Sequence, residues 1–239
     1  MSAVEASLDV LARQYDLSLG AVAALRCLLA ELAADARAPS GVRVAEQAVD
    51  LHVADSLVAL GVPAVRSAAV IADVGSGAGF PGLPLAAALP RARVFLVESA
   101  VRKAAFIERA AQAAGLQNAC VVPERAEQWA AGLGACDVVL ARAVGQLAVL
   151  AEYAAPLLSL GGVLVAWKGA PQEAEEAAGT FAARELGLEP REILKVEPFA
   201  GVRHRTLYLY DKLRPTPERF PRRAGVAQKR PLGSDRSSR

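Results

Sequence analysis

Cysteine is scarce. The 239 residues include three, Cys27, Cys120 and Cys136, with no metal-type spacing. An odd, scattered set argues against a disulfide framework and for a reducing compartment, so a cytoplasmic protein is expected. Histidine is scarcer still, with only His52 and His204. Long apolar runs are missing: no stretch of about 18 residues escapes a charge, glycine or proline, which excludes a membrane-spanning helix. The 54% apolar share is in large part alanine, 52 residues of it. The opening MSAVEASLDV has neither a basic region nor a long apolar one, and no secretory signal is expected there.

Net charge is nearly absent as well. Lys and Arg number 27 against 25 Asp and Glu, a formal +2. The balance hides an asymmetry. Residues 201–239 hold 11 basic and three acidic residues, net +8, whereas residues 1–200 carry −6. A basic end on an acidic body suits an anionic partner, nucleic acid being the commonest, or is simply a solvated terminus. Pro215, Pro217 and Pro221 interrupt this end, so a flexible, extended tail is expected over residues 214–239.

What is present is periodic. Residues 4–60 carry apolar side chains at helical spacing in three stretches, broken at Ala38-Pro39-Ser40-Gly41. Residues 1–62 are expected to be a helical extension. The pattern then changes to short apolar runs: AAVIADVG (68–75), RVFLVE (93–98), NACVVPE (118–124), DVVLARAV (137–144) and GGVLVAWKG (161–169). Helical stretches separate several of them, as in a doubly wound parallel sheet. EILKVEPFA (192–200) and RTLYLYDKL (205–213) lie too close for a helical crossover and suit an antiparallel hairpin. The fold class expected over 63–213 is therefore α/β, Rossmann-like and mostly parallel, with a C-terminal antiparallel hairpin.

The strongest local signal is Asp73-Val74-Gly75-Ser76-Gly77-Ala78-Gly79-Phe80-Pro81-Gly82, directly after the first strand. Glycines let the backbone turn sharply and approach a ligand. A helix near Pro81 is expected to offer its N-terminus to that ligand. Glu98, ending the next strand, can accept both ribose hydroxyls of an adenosine cofactor. Counted from Gly75, the first glycine after the strand, the spacing is G-x-G-x-G rather than the G-x-G-x-x-G of the dinucleotide fingerprint, which disfavours a nicotinamide reductase. Asp73 suits a cofactor with positive charge, such as the sulfonium of S-adenosylmethionine.

Other candidates fall at strand ends on the same sheet edge. Ala126 and Glu127 can flank an adenine, although Glu127 equally suits a helix N-terminus. Arg142 ends an apolar strand and needs a partner: a cofactor carboxylate, an RNA phosphate, a guanine edge or an internal carboxylate. Lys168 can reach a phosphate or lie on the surface. His52 and Asp55, three apart, share a helix face, where they can be structural and pin the N-terminal helices against the glycine loop.

These segments carry a resemblance. AVIADVGSGAGFPGLPLAAALP, LVESAVRKAAFIERAAQAAGL, ERAEQW, VVLARAV, LVAWKG, the LHVADSL motif and RHRTLYLYDKLRPTPERFPRRAGVAQKRPL together resemble the bacterial 16S ribosomal RNA (guanine-N7) methyltransferases of the glucose-inhibited division B (RsmG) family, from about Asp50 to Leu232. The resemblance implies a class I S-adenosylmethionine-dependent methyltransferase acting on guanine(527)-N7 in the 530 loop, with 16S rRNA or the small ribosomal subunit as partner. It implies cofactor roles for Gly75, Phe80, Ala126, Glu127 and Arg142, beside Gly77 and Glu98 of the loop reading. Arg142 is expected to position rather than to move a proton. The family usually has arginine where this chain has Leu51. Nothing demands more than a monomer, and no metal or membrane partner is expected. A methyltransferase on another RNA, a small molecule or a protein, and a non-catalytic RNA-binding protein of the same fold, are the alternatives. Removing the residues after Leu213 is expected to weaken RNA binding more than cofactor binding.

Overall fold

The computed structural model describes residues 2–42 and 44–233. Two helices open the chain, α1 (Ala3–Tyr15) and α2 (Leu19–Ala34). Each starts at a serine whose hydroxyl accepts from the backbone three residues on, Ser2 from Glu5 and Ser18 from Ala21. The Glu5 carboxylate accepts in turn from the Ser2 N–H, completing a capping box. The third helical stretch is irregular. It runs as α3 (Ala45–Ala48), a π-helical turn (Val49–Ala54), α4 (Asp55–Leu57) and a 3-10 turn (Val58–Gly61), followed by α5 (Pro63–Ser67) with proline at its first position.

Seven strands form one sheet: β1 (Val70–Val74), β2 (Arg93–Val97), β3 (Ala119–Val122), β4 (Cys136–Arg142), β5 (Leu158–Lys168), β6 (Leu188–Lys195) and β7 (Thr206–Lys212). Their order is β3-β2-β1-β4-β5-β7-β6. The first five run parallel, and β7 is antiparallel to both β5 and β6. The expected parallel sheet and terminal hairpin are both present. Helices α6 (Gly82–Ala88), α7 (Val101–Ala113), α8 (Leu147–Ala154) and α9 (Glu173–Glu185) cover its faces. The sequence reading did not anticipate α9.

Strand side chains alternate between two apolar layers, as the pleat requires. Ile71, Val138, Leu140, Val163, Val165 and Leu207 join the core shared with α1, α2, α6 and α7. Ala72, Val139, Ala141, Leu164, Ala166 and Tyr208 join the core under α8 and α9. Parallel strands are buried on both sides by this arrangement, which is why they read as continuous apolar runs. The sheet order reverses between β1 and β4, and such a switch point opens a crevice outside the carboxyl ends of the strands.

The described part of the C-terminal end is not a free tail. Phe220 and Ala227 are buried in the second core. A short helix, α10 (Val226–Lys229), forms where an extended chain was expected. The prolines break regular structure, but one aromatic ring and one arginine with a buried carboxylate partner hold the segment down. Residues 234–239, with Arg236 and Arg239 of the basic end, lie outside the described residues.

Leu140 is fully buried at the centre of the sheet. Leu140→Ala is expected to lower the free energy of unfolding by about 2–5 kcal/mol in a urea titration. Val10→Ala on the exposed face of α1 should change it by no more than about 0.5 kcal/mol.

Candidate active site

The glycine loop closes over the end of β1. Gly75, Gly77 and Gly79 all have positive φ, at 70°, 62° and 89°. At Gly75 the constraint is also spatial, because a Cβ there would stand 2.7 Å from Val144. The N–H groups of Gly75 and Ser76 donate to the Val97 carbonyl at 2.8 and 3.3 Å, which ties the loop to β2. Glu98, just past β2, is buried and shapes the loop from below: Oε2 accepts from the Gly77 N–H at 3.0 Å and Oε1 from the Ala100 N–H at 2.8 Å.

A cleft of about 280 Å³ opens here. It is lined by Gly75, Glu98, Ala126 and Glu127, together with Ser99, Lys103, Arg125, Ala143, Val144, Tyr153 and Gln228. Four of the expected cofactor residues thus meet in one cavity, and Gly77 reaches it through Glu98. Ala143 has φ of 58°, uncommon for a residue with a side chain. The Glu127 carboxylate is already partly engaged, with Oε1 accepting from the Gly225 N–H at 2.9 Å. Tyr153 and Gln228 were not expected. Tyr153 reads as ordinary helix core, and Gln228 lies about a hundred residues from Glu127 in sequence.

Two expectations about the loop change. The N-terminus of α6 does not face the cleft: Asp73 Oδ2 accepts from the Gly82 N–H at 2.9 Å and occupies it. Asp73 is therefore a buried internal cap and no lining group. Its other oxygen, Oδ1, has no hydrogen-bond partner among the described residues. Burial pushes its pKa up to about 6, against the Gly82 N–H and the charge of Arg142.

Phe80 and Arg142 do not line the cleft. They belong to a second cluster, against the N-terminal helices. The parity of β4 sends Arg142 to the same layer as Leu140, away from Ala141. Arg142 Nη1 donates to Asp55 Oδ2 at 2.8 Å and to the Leu51 carbonyl at 3.3 Å. Arg205, one residue before β7, pairs with Asp55 Oδ1 at 2.7 Å. Trp167 of β5 donates its indole N–H to the Asp55 carbonyl at 2.9 Å. Of the four partners open to Arg142, the internal carboxylate is the one it holds. The Phe80 ring stacks on His52, with centroids 4.5 Å apart and planes 12° from parallel. His52 and Asp55 thus do pin the N-terminal helices against the glycine loop and the strand ends. The π-helical turn sends the two side chains to different partners. Lys168 pairs with Glu175 at 2.6 Å and donates to the Gly145 carbonyl at 3.1 Å.

The strand order, the antiparallel β7 and the glycine loop opposite a buried acid after β2 define a class I methyltransferase fold. The chain belongs to the GidB family, described as rRNA small subunit methyltransferase G, whose model matches residues 32–204. It is 44% identical over 198 residues to the ribosomal RNA small subunit methyltransferase G of Rubrobacter xylanophilus, covering 80% of this chain and 76% of that one. The protein of the same name from Deinococcus radiodurans is 41% identical over 199 residues, covering 81% and 78%. Solved structures agree on the fold. A 16S rRNA (adenine(1408)-N(1))-methyltransferase from Catenulisporales acidiphilia superposes with TM-score 0.52 at 19% identity, over 64% of this chain and 89% of that one. A branched-chain polyamine synthase mutein from Thermus thermophilus reaches 0.59 at 18% identity, over 82% and 65%.

S-adenosylmethionine is the cofactor of this methyltransferase, and the cleft fits it. Glu98 keeps lone pairs for hydroxyl donors beside its two backbone bonds, and at Gly75 the backbone can approach a ligand without a Cβ. Among the described residues, no helix is long and apolar enough to cross a membrane.

Two tests address the second cluster. His52 has its pKa lowered from 6.5 to about 4, first by burial and then by the charge of Arg142. The unfolded chain takes that proton near pH 6.5, so the stability His52 contributes above that pH is lost as pH falls toward 4. Asp73 acts oppositely: its contribution is fully present below pH 3.8 and is lost as pH rises toward 6. Proton NMR of the two histidine rings should show one that stays neutral at pH 5.5 and titrates near 4, and that signal should vanish in His52→Gln. Asp55→Asn leaves two guanidinium groups without their carboxylate, and is expected to cost about 3–5 kcal/mol in denaturant unfolding.

Proposed function

We propose that the chain transfers the methyl group of S-adenosylmethionine to N7 of a guanine in the 530 loop of 16S rRNA, the guanine(527)-N7 reaction, in the cytoplasm. The observation that carries this reading is the cleft at the carboxyl ends of β1 to β4, walled by Gly75, Glu98, Ala126 and Glu127. Family membership and the names of the relatives support small-subunit rRNA as the substrate.

The bound cofactor supplies an electrophilic methyl group on a sulfonium. Guanine N7 carries an in-plane lone pair and no proton, so its attack requires no general base. The protein's task is to align donor and base and to exclude other geometries. Glu98 and the glycine loop fix the cofactor end. Arg142 stands one residue from Ala143 of the cleft wall and is held rigid by Asp55. Its guanidinium has further donors beyond the Asp55 and Leu51 bonds, and it acts as a positioning group for the incoming nucleotide.

Mass spectrometry of small-subunit rRNA from cells with and without the protein tests the reaction. Loss of 7-methylguanosine from the 530 loop is expected, and an unchanged 7-methylguanosine would refute it. Arg142→Ala is expected to lower kcat about 100-fold or more, with Arg142→Lys recovering part of it. The fold should survive, because Arg205 still neutralises Asp55. Normal methylation by Arg142→Ala would sink the positioning role.

A further inference from the structure

The described C-terminal segment returns to the cofactor cleft, and the reaction as written gives it no task. Gln228 lines the cleft together with Glu127 and Tyr153. Two anchors hold the segment there. The Gly225 N–H donates to Glu127 Oε1 at 2.9 Å, and Gly225 turns at φ of 80° to present it. Arg222 donates to Glu152 through Nε at 2.6 Å and through Nη2. Glu152 is 1% exposed and directly precedes Tyr153 of the cleft wall. Arg222 Nη2 also donates to the Arg230 carbonyl at 3.0 Å, which closes the segment on itself. Both carboxylates that secure the segment therefore belong to, or adjoin, the wall of the cleft.

The charges of this end divide accordingly. Arg205, Arg214, Arg219 and Arg222 pair with Asp55, Glu189, Glu185 and Glu152, and Lys212 is buried against the Leu186 carbonyl. Arg223, Lys229 and Arg230 are exposed and have no carboxylate partner among the described residues.

We propose that residues 220–230 form a strap that completes the cofactor cleft through Gln228 and Glu127 and presents Arg223, Lys229 and Arg230 to RNA phosphates, so that its seating sets both affinities together. The inference rests on the cleft being the cofactor site. It replaces the expectation that loss of this end weakens RNA binding more than cofactor binding: unseating the strap opens the cleft as well as withdrawing the cations.

The test uses the full chain, calorimetry with S-adenosylhomocysteine and filter binding to transcribed 16S rRNA across a salt series. Arg222→Ala, checked as folded by circular dichroism, is expected to weaken both ligands at least about tenfold, since Glu152 is left without its partner. Wild-type affinity for S-adenosylhomocysteine in that variant overturns the strap. Should Arg222→Ala not fold, Gln228→Ala decides, because it touches neither anchor: about three- to tenfold weaker cofactor binding supports the proposal, and unchanged binding overturns it. Replacing Arg223, Lys229 and Arg230 together by Gln should reduce the salt slope of RNA binding by about two to three, and an unchanged slope overturns the RNA half. A wild-type protein that binds no S-adenosylhomocysteine overturns the cofactor reading itself, and the strap with it.

Discussion

One buried carboxylate joins the parts of this molecule. Asp55 sits on the irregular helical segment and takes Arg142 from the end of β4 on one oxygen and Arg205 from the start of β7 on the other. Its own carbonyl takes the indole of Trp167 from β5. Three neighbouring strands are thereby tied, at the edge where the cleft opens, to helices that precede the sheet in sequence. A buried carboxylate is costly unless its charge and lone pairs are matched. Here the charge is matched by two guanidinium groups that are in reach only when sheet and helices are correctly docked, Arg142 through a hydrogen bond to Oδ2 and Arg205 through an ion pair at Oδ1. The stack of His52 on Phe80 adds a second tie, from the same segment to the glycine loop.

The division into two clusters follows from strand parity. A residue and its neighbour on β4 face opposite layers, so Ala143 enters the cleft wall while Arg142 turns to the N-terminal helices. Ala143 of the cleft wall and Arg142, the positioning group proposed above, are adjacent in the chain but separated in space. That separation suits a transfer reaction, in which donor and acceptor must be held on distinct supports and meet along one line.

Much of this was legible in the residues. Parallel strands buried on both faces must be short apolar runs, and five of them stood out. A spacing too short for a crossover specified the antiparallel β6 and β7. Glycines that need positive φ, followed by an acid after the next strand, marked the cleft. The rest depends on distant partners. The direction of Arg142 is set by a carboxylate 87 residues away, and the docking of Arg222 by one 70 residues away. No local pattern encodes either. The π-helical turn that separates His52 from Asp55 is equally silent, since its apolar spacing resembles that of an ordinary helix. The basic end reads as a handle for an anionic partner or a solvated terminus, yet four of its nine described cations pair with an internal acid.

The far edge of the sheet has its own logic. β6 is the last strand in the order, and among the described residues its outer side meets no further strand. Pro190 lies within it and brings no N–H, and its register against β7 shifts between Pro190 and Glu192. Glu189, Arg191, Glu192 and Lys195 place charges of both signs along it. A strand from another molecule would find a missing donor, a broken register and side chains that resist dehydration. The sheet therefore ends at β6, and the same row of residues guards it against edge-to-edge aggregation.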